Sequence, residues 1–245
     1  MSGAEAARSF RARLADERVF GVRCVHGHAP AVLALAHAGI DFVYLDQQHG
    51  TVSIEQITSV ADALAATPAV VLVRVPEATP TAIGRALDAG ADGILAPDVA
   101  DRAHAARVVD ATRYPPAGTR SWGRYGGPSS PQLADRPLVV PMIESPGAVA
   151  DAAAIAALDG VDAVYVGRND LALASGASLE DVGRPGPVAD AIAAVRAACD
   201  AAGIPMGTSG AVPALAAEGF RMLTLGSELD LLGHAVRTLR GEGSS

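Results

Sequence analysis

Eight short β-branched segments alternate with Ala- and Leu-rich segments from one end of the 245-residue chain to the other, and this repeat constrains the fold most strongly. Several of the Ala- and Leu-rich segments end on glycine, as helices often do. The β-branched segments are almost continuously apolar, which is typical of parallel strands covered by helices. The predicted strands are residues 19–25, 41–46, 69–75, 92–97, 137–143, 162–167, 204–208 and 220–226.

Eight βα units in a chain of this length predict an α/β fold, namely a parallel (β/α)₈ TIM barrel. A doubly wound open sheet is the structural alternative. No linker rich in Ser, Gly and Pro divides the chain, so we expect residues 1–245 to form a single barrel domain.

The charge balance bears on the class of partner. The chain has 19 basic and 27 acidic residues, a net charge of −8, and no basic run. Nucleic acids and anionic membranes are therefore not expected as partners. The expected partner is a small molecule. No segment resembles a signal peptide or a membrane span, which predicts a cytoplasmic protein. Cys24 and Cys199 are expected to be buried apolar residues.

All 19 basic residues are arginine, and the sequence contains no lysine. Schiff-base aldolases and enzymes that bind pyridoxal phosphate covalently require a lysine amine, and a P-loop requires its phosphate-binding lysine. These three mechanisms are therefore excluded.

Two carboxylates follow neighbouring predicted strands at the end of the barrel where catalytic groups lie. Glu144 follows the fifth strand and Asp170 follows the sixth, 26 residues later, so we expect them to converge. Converging carboxylates suit Mg²⁺ or Mn²⁺. Alternatively, Glu144 caps the helix that starts at Pro146, and Asp170 is a turn or N-cap residue.

Arg74 and His49 lie at the same predicted end. Arg74 ends an otherwise apolar strand, and a buried guanidinium needs an anion, either a carboxylate or enolate ligand or a salt bridge inside the barrel. His49 follows Asp46 by three residues, so Asp46 could fix its tautomer and raise its basicity, as a general base requires. His26 and His28 are interpreted as residues of the rim.

In order and spacing, motifs along nearly the whole chain resemble the HpcH/HpaI aldolases, a family of class II, metal-dependent pyruvate aldolases. The resemblance lies in DFVYLDQQHG, VRVP, ALDAGADGILAP, RYPPAGTRSWG, PMIESPGAV, GVDAVYVGRNDLA and GFRMLTLGSELDLL. It implies a TIM barrel whose last helix is often exchanged between subunits of a hexamer, a trimer of dimers. The implied cofactor is a divalent metal, Mg²⁺, Mn²⁺ or Co²⁺.

The resemblance also implies roles for individual residues. Glu144 and Asp170 match the metal ligands, His49 the base, with Asp46 as its supporting acid, and Arg74 the arginine that contacts the pyruvate oxygen. The backbone of residues 167–169, Gly167, Arg168 and Asn169, matches the segment that receives the pyruvate carboxylate.

Three positions depart from the family pattern. Gln48 replaces a common Glu beside the base, Met142 replaces a Gln before the metal-binding Glu, and Arg168 and Asn169 stand in a motif that is usually Gly-Pro-Ala-Asp. Gln48 remains a candidate substrate-binding residue. Arg168 either binds an anionic end of the substrate or points outward.

The implied activity is reversible cleavage of a 4-hydroxy-2-oxo acid to pyruvate and an aldehyde. The loop at residues 113–127 is expected to select the aldehyde, with Arg120, Trp122 and Arg124 as rim residues. The alternatives are a citrate lyase β-like enzyme acting on acyl-CoA thioesters, a barrel that uses phosphoenolpyruvate, and a non-catalytic subunit that binds metal and pyruvate.

Overall fold

The computed structural model describes residues 3–123 and 136–241, which contain eight strands in a closed barrel. The strands are β1 (Val19–Cys24), β2 (Phe42–Asp46), β3 (Val70–Arg74), β4 (Gly93–Ala96), β5 (Leu138–Ile143), β6 (Val164–Val166), β7 (Met206–Ser209) and β8 (Met222–Ser227). Every neighbouring pair is parallel, and β8 closes the barrel on β1. The predicted TIM barrel is confirmed, and each predicted strand boundary lies within two residues of the observed one.

Helices follow the strands around the outside of the barrel. They are α1 (Gly3–Asp16), α2 (Ala29–His37), α3 (Ile54–Leu64), α4 (Pro80–Asp88), α5 (Arg102–Thr112), α6 (Pro146–Ala150), α7 (Ala152–Ala156), α8 (Arg168–Ala174), α9 (Pro187–Ala202), α10 (Val212–Ala217) and α11 (Glu228–Leu239). Within the described ranges, every helix is too short or too polar to cross a membrane.

Two hydrophobic layers hold the barrel together. The outer layer joins the outward faces of the strands to the helices and contains both cysteines. Cys24 and Cys199 are buried thiols, as predicted, and burial raises the pKa of Cys199 to about 12. Burial of this kind favours the neutral thiol over the thiolate. Both cysteines therefore behave as small apolar residues of the core.

The inner layer fills the barrel and includes α1, a helix that the sequence analysis did not foresee. Phe10 and Leu14 of α1 are buried in the same cluster as the inward-facing side chains Phe42 and Leu72. The rings of Phe10 and Phe42 meet edge to face with centroids 6.0 Å apart. Because Phe42 begins β2, α1 closes the amino-terminal end of the barrel.

Aspartates stand one or two residues before the even strands β2, β4 and β6. The carboxylates of Asp41, Asp92 and Asp162 accept hydrogen bonds from the backbone N–H groups of Phe20, Val71 and Val139, respectively. Asp41 and Asp162 also form ion pairs with Arg13 and Arg11 of α1. No such ion pair is formed by Asp92 within the described ranges, and burial raises its pKa to about 7.

Candidate active site

The carboxyl ends of the strands surround a cavity of about 140 Å³. Its lining includes six of the residues predicted from the sequence to form the site: Arg74, Glu144, Gly167, Arg168, Asn169 and Asp170. Asp46, Gln48, His49 and Trp122 are not among the lining residues. The strand-end positions of polar residues therefore predicted Arg74, Glu144 and Asp170, and the family resemblance added residues 167–169.

Glu144 follows β5, and its side chain is buried beside the cavity. Its Oε2 accepts a hydrogen bond from the backbone N–H of Asp98 at 3.0 Å. Burial raises the pKa of Glu144, and the negative charges of Asp170 and Asp98 raise it further, against the opposing effects of the Asp98 N–H and Arg74. An anionic Glu144 therefore favours a cation close by.

Glu144 does not cap the helix that follows it, which was its alternative role, because the neighbouring Ser145 caps α6. The Oγ of Ser145 is the N-cap of α6 and accepts a hydrogen bond from the backbone N–H of Ala148. Similarly, Gly167 is the N-cap of α8, and Asp170 lies within the first turn of that helix. Both carboxylates are thus left for the cavity.

Gly167 provides the space that the Glu144 carboxylate occupies. A Cβ atom built on Gly167 would lie 2.2 Å from Oε1 of Glu144, which is far inside van der Waals contact. Only glycine therefore lets α8, which carries Asp170, approach Glu144 this closely.

The two carboxylates fit a divalent metal. Both line the same cavity, and the negative charge of Asp170 raises the pKa of Glu144. No cluster of three or more His, Cys, Asp and Glu side chains suited to a metal occurs in residues 3–123 and 136–241. One or two carboxylates with oxygens from water and ligand are the usual environment of Mg²⁺, so the donor set is of the right chemistry.

Arg74 and Asp46 form a buried ion pair with two hydrogen bonds. Arg74 Nε donates to Asp46 Oδ1 at 2.9 Å and Nη2 donates to Oδ2 at 2.5 Å. β2 and β3 pair these two residues in register. The expected salt bridge of Arg74 therefore exists, and Arg74 also lines the cavity.

Asp46 takes a different place from the one expected. Its Oδ1 also accepts hydrogen bonds from the backbone N–H groups of Gln48 and His49, both at 3.1 Å. Among the described contacts, none joins Asp46 to the imidazole of His49. The in-register Arg74 occupies both carboxylate oxygens, so Asp46 orients the turn that carries His49 rather than the ring itself.

His49 is exposed on the segment that follows β2, beside Gln48. The side-chain amide of Gln48 donates to Oδ2 of Asp98 at 3.3 Å. The backbone of Asp98 in turn binds Glu144. The turn after β2 is thus connected through Asp98 to the carboxylate after β5.

A sequence model of the family described as HpcH/HpaI aldolase/citrate lyase matches residues 25–235. The chain belongs to this family. The resemblance found in the sequence motifs is therefore confirmed.

Curated members of the HpcH/HpaI family include relatives that align along most of the chain. A hydroxypyruvate/pyruvate aldolase of Rhizorhabdus wittichii is 37% identical over 215 residues, 83% of this chain and 85% of the relative. A 4-hydroxy-2-oxovalerate aldolase of Rhodococcus jostii is 35% identical over 213 residues, 80% of each chain. The crystal structure of a family protein from Burkholderia cenocepacia has a TM-score of 0.86 and 31% identity, covering 96% of this chain and 98% of that one.

Several residues at the site of this HpcH/HpaI protein were not predicted from the sequence. Arg23 lines the cavity from β1, and it is a charged residue within an apolar strand, the same pattern that pointed to Arg74. Asp98 lies two residues after the end of β4, and it adopts a positive φ of 52°. Both could have been found by applying the strand-end rule to every strand.

Hydroxyl groups line the inner wall of the cavity and carried no recognisable pattern in the sequence. Tyr165 lies 2.6 Å from the Oγ of Ser209 and donates to the Oγ1 of Thr224 at 2.9 Å. Its ring packs edge to face on Tyr44, with centroids 6.2 Å apart. Burial raises the pKa of both tyrosines, so they remain neutral.

The described part of the loop expected to select the aldehyde, residues 113–123, follows α5. It therefore lies at the amino-terminal end of the strands, opposite the cavity. There Arg120 forms an ion pair with Asp88 at 2.6 Å, and Trp122 packs on Tyr114. Within the described chain, Arg120 and Trp122 therefore lie away from the cavity at the barrel mouth, and Arg124 lies outside the described residues.

Proposed function

We propose that this protein is a class II aldolase that depends on a divalent metal and reversibly cleaves 4-hydroxy-2-oxo acids to pyruvate and an aldehyde. The observation that carries the proposal is the meeting of Glu144, Asp170 and Arg74 on one cavity at the carboxyl end of the barrel. Relatives named as aldolases for hydroxypyruvate and pyruvate and for 4-hydroxy-2-oxovalerate support it.

In this proposal, Glu144 and Asp170 hold Mg²⁺ or Mn²⁺, with Co²⁺ as a substitute. Bound there, the metal supplies a Lewis acid to the 2-oxo acid end of the substrate. Because the chain contains no lysine, no side-chain amine can take over this role. Removal of the metal is therefore expected to abolish activity.

The remaining residues handle charge and protons. Arg74 uses two of its nitrogens on Asp46, which leaves Nη1 for the negative charge that develops on the 2-oxo oxygen. The backbone of residues 167–169 binds the substrate carboxylate. In the cleavage direction, His49 takes the proton of the 4-hydroxyl group, and in synthesis it returns that proton.

Pyruvate release from a panel of 4-hydroxy-2-oxo acids, with and without EDTA, tests the proposal. We expect turnover that stops in EDTA and returns on addition of Mn²⁺ or Mg²⁺. Glu144→Gln should be inactive at every metal concentration, whereas the exposed control Glu55→Gln should retain wild-type turnover. Full activity in EDTA would contradict the proposal, as would turnover of acyl-CoA thioesters but not of any 4-hydroxy-2-oxo acid.

We also propose that the protein assembles as a hexamer, a trimer of dimers, through α11. Exposed apolar residues recur on this helix every three or four positions: Leu229, Leu232, Val236 and Leu239. An apolar face of this kind is typical of an interface between subunits. Light scattering should give six chains for the wild type and fewer for Leu232→Glu; a monomeric wild type would exclude the hexamer.

The location of the protein in the cell is a further part of the proposal. We propose a cytoplasmic location because the reaction draws on pyruvate, a central metabolite of the cytoplasm. Cell fractionation with an antibody to the protein would test this placement.

A further inference from the structure

A second and larger cavity, of about 470 Å³, lies between α8, α9 and the end of α10. Three arginines line it, Arg168, Arg184 and Arg196, together with the acidic residues Asp190 and Glu218. Its charged side chains carry a net positive charge, although the chain as a whole carries −8. Its volume is in the range of sites for small molecules.

Arg168 is incompletely satisfied in this cavity. Its side chain is 13% exposed, and its buried Nε has no hydrogen-bond partner in the described part of the chain. Nη2 lies 4.0 Å from Oε1 of Glu218, at the outer limit of an ion pair. Glu218 is itself 40% exposed, so water weakens that attraction. A buried guanidinium in this state calls for a further acceptor.

The guanidinium of Arg168 points away from the barrel mouth. Its Nη2 would lie 3.2 Å from a Cβ atom built on Gly183, and both Gly183 and Glu218 line only the larger cavity. Of the two placements expected for Arg168, the outward one is therefore observed. Its main chain, however, still belongs to the turn that leads to Asp170.

Arg196 and Arg184 extend the positive surface. Nη1 of Arg196 donates to the backbone carbonyl of Glu218 at 3.1 Å, so Arg168 and Arg196 both approach the same residue. Arg184 lines the cavity from an exposed position. Guanidinium groups match the geometry of phosphate and carboxylate oxygens, which they bind with two parallel hydrogen bonds.

We propose that this cavity binds a small organic molecule with a phosphate or carboxylate group, at a site separate from the barrel mouth. The anionic group lies at Arg168 with Arg184 and Arg196 around it, and the volume accommodates the rest of the molecule. Arg168 is the residue that the two cavities share, and its main chain begins α8, the helix that carries Asp170. The site goes beyond the proposed aldolase activity and does not depend on it.

Calorimetry on the purified full chain tests the site directly, at constant ionic strength. The probes are glucose 6-phosphate, citrate, inorganic phosphate and, as the uncharged comparison, glucose. We expect saturable binding of glucose 6-phosphate or citrate and none of glucose. The anion that binds identifies the source of the charge, a phosphate ester or a carboxylate.

Variants locate the binding. Arg168→Gln and Arg184→Gln should each weaken binding of the anionic probe at least about tenfold, the effect of one charge-assisted contact. The exposed control Arg107→Gln removes the same charge on α5 and should bind as the wild type does. Arg184→Gln should retain basal turnover, so failure of the catalytic proposal and failure of this one give different results.

Several results would overturn the proposal. These are the absence of saturable binding for every anionic probe, unchanged affinity in both variants, and displacement of the probe by pyruvate in competition. The last result would place the probe in the barrel mouth.

Discussion

The carboxylate of Asp46 holds the guanidinium of Arg74 with both of its oxygens, at 2.9 and 2.5 Å, across the in-register strands β2 and β3. Burial alone would raise the pKa of Asp46, but the hydrogen bond and charge of Arg74 and the N–H groups of His49 and Gln48 lower it below its ordinary value. The pair therefore remains charged inside the barrel and fixes the arginine before any ligand arrives.

Asp46→Asn should destabilise the protein by about 3 kcal/mol, because it leaves the charge of Arg74 buried without its counter-ion. Urea denaturation would measure this loss. As the control, Glu17→Gln removes the exposed partner of Arg13 and should cost less than about 0.5 kcal/mol. Equal effects of the two substitutions would mean that the buried pair contributes no more than a surface one.

Gly167→Ala should weaken Mn²⁺ binding, because the added methyl group overlaps the space of the Glu144 carboxylate. We expect a loss of at least about tenfold, the equivalent of 1.4 kcal/mol. Calorimetric titration with Mn²⁺ would measure it. Gly84→Ala is the matched control, since a Cβ atom at Gly84 of α4 meets open space, and wild-type affinity in both variants would contradict the proposed crowding.

His49→Ala should lower kcat at least about a hundredfold, the lower range for a positioned acid or base. Binding of metal and pyruvate should be largely unchanged, because the expected ligands of both lie on other elements. Steady-state kinetics together with calorimetry would separate the two effects. His37→Ala, an exposed histidine on α2, serves as the control, and wild-type turnover by His49→Ala would remove this residue from the mechanism.

Asp92 should make the protein less stable as the pH rises from about 4 to about 7. Its pKa is about 7 in the folded state against an ordinary value of 3.8, so the folded state holds a proton that the unfolded state releases. Linkage then lowers the free energy of unfolding over this window by an amount on the order of 2–4 kcal/mol.

Asp92→Asn should remove most of this decline and stabilise the protein at pH 8, because the amide oxygen still accepts the hydrogen bond from Val71. Urea denaturation at pH 5, 6, 7 and 8 would measure the change. The exposed Asp200→Asn should retain the wild-type slope. A pH profile that Asp92→Asn leaves unchanged would show that Asp92 is not the titrating group.

The barrel could be predicted from the sequence because each strand and helix is indicated by the pattern of residues within that element. Strand and helix patterns repeat with the period of each element, and the closed parallel sheet follows from eight such units. The same order placed Glu144, Asp170 and Arg74 at one end, because the carboxyl ends of parallel strands meet. The family motifs added roles that periodicity cannot supply.

The side-chain partners and directions within the site could not be predicted, because they depend on contacts between residues that are far apart in the sequence. Spacing suggested Asp46 as the partner of the His49 ring, but register between strands makes Arg74 its partner. Arg168 sits among predicted site residues, yet its side chain turns to the opposite side of α8. Trp122 follows a helix rather than a strand, so its loop returns to the other end of the barrel. Side-chain direction and connection geometry decided each of these cases.

The helix α1, with Phe10 and Leu14 buried in the barrel interior, blocks the amino-terminal end of the barrel. Substrates and products must then enter and leave through the opposite end, and a product bound deeper in the cavity leaves after one bound closer to solvent. In the proposed reaction pyruvate lies deeper and the aldehyde lies closer to solvent. The aldehyde should therefore depart first, and added pyruvate should compete directly with the oxo acid substrate.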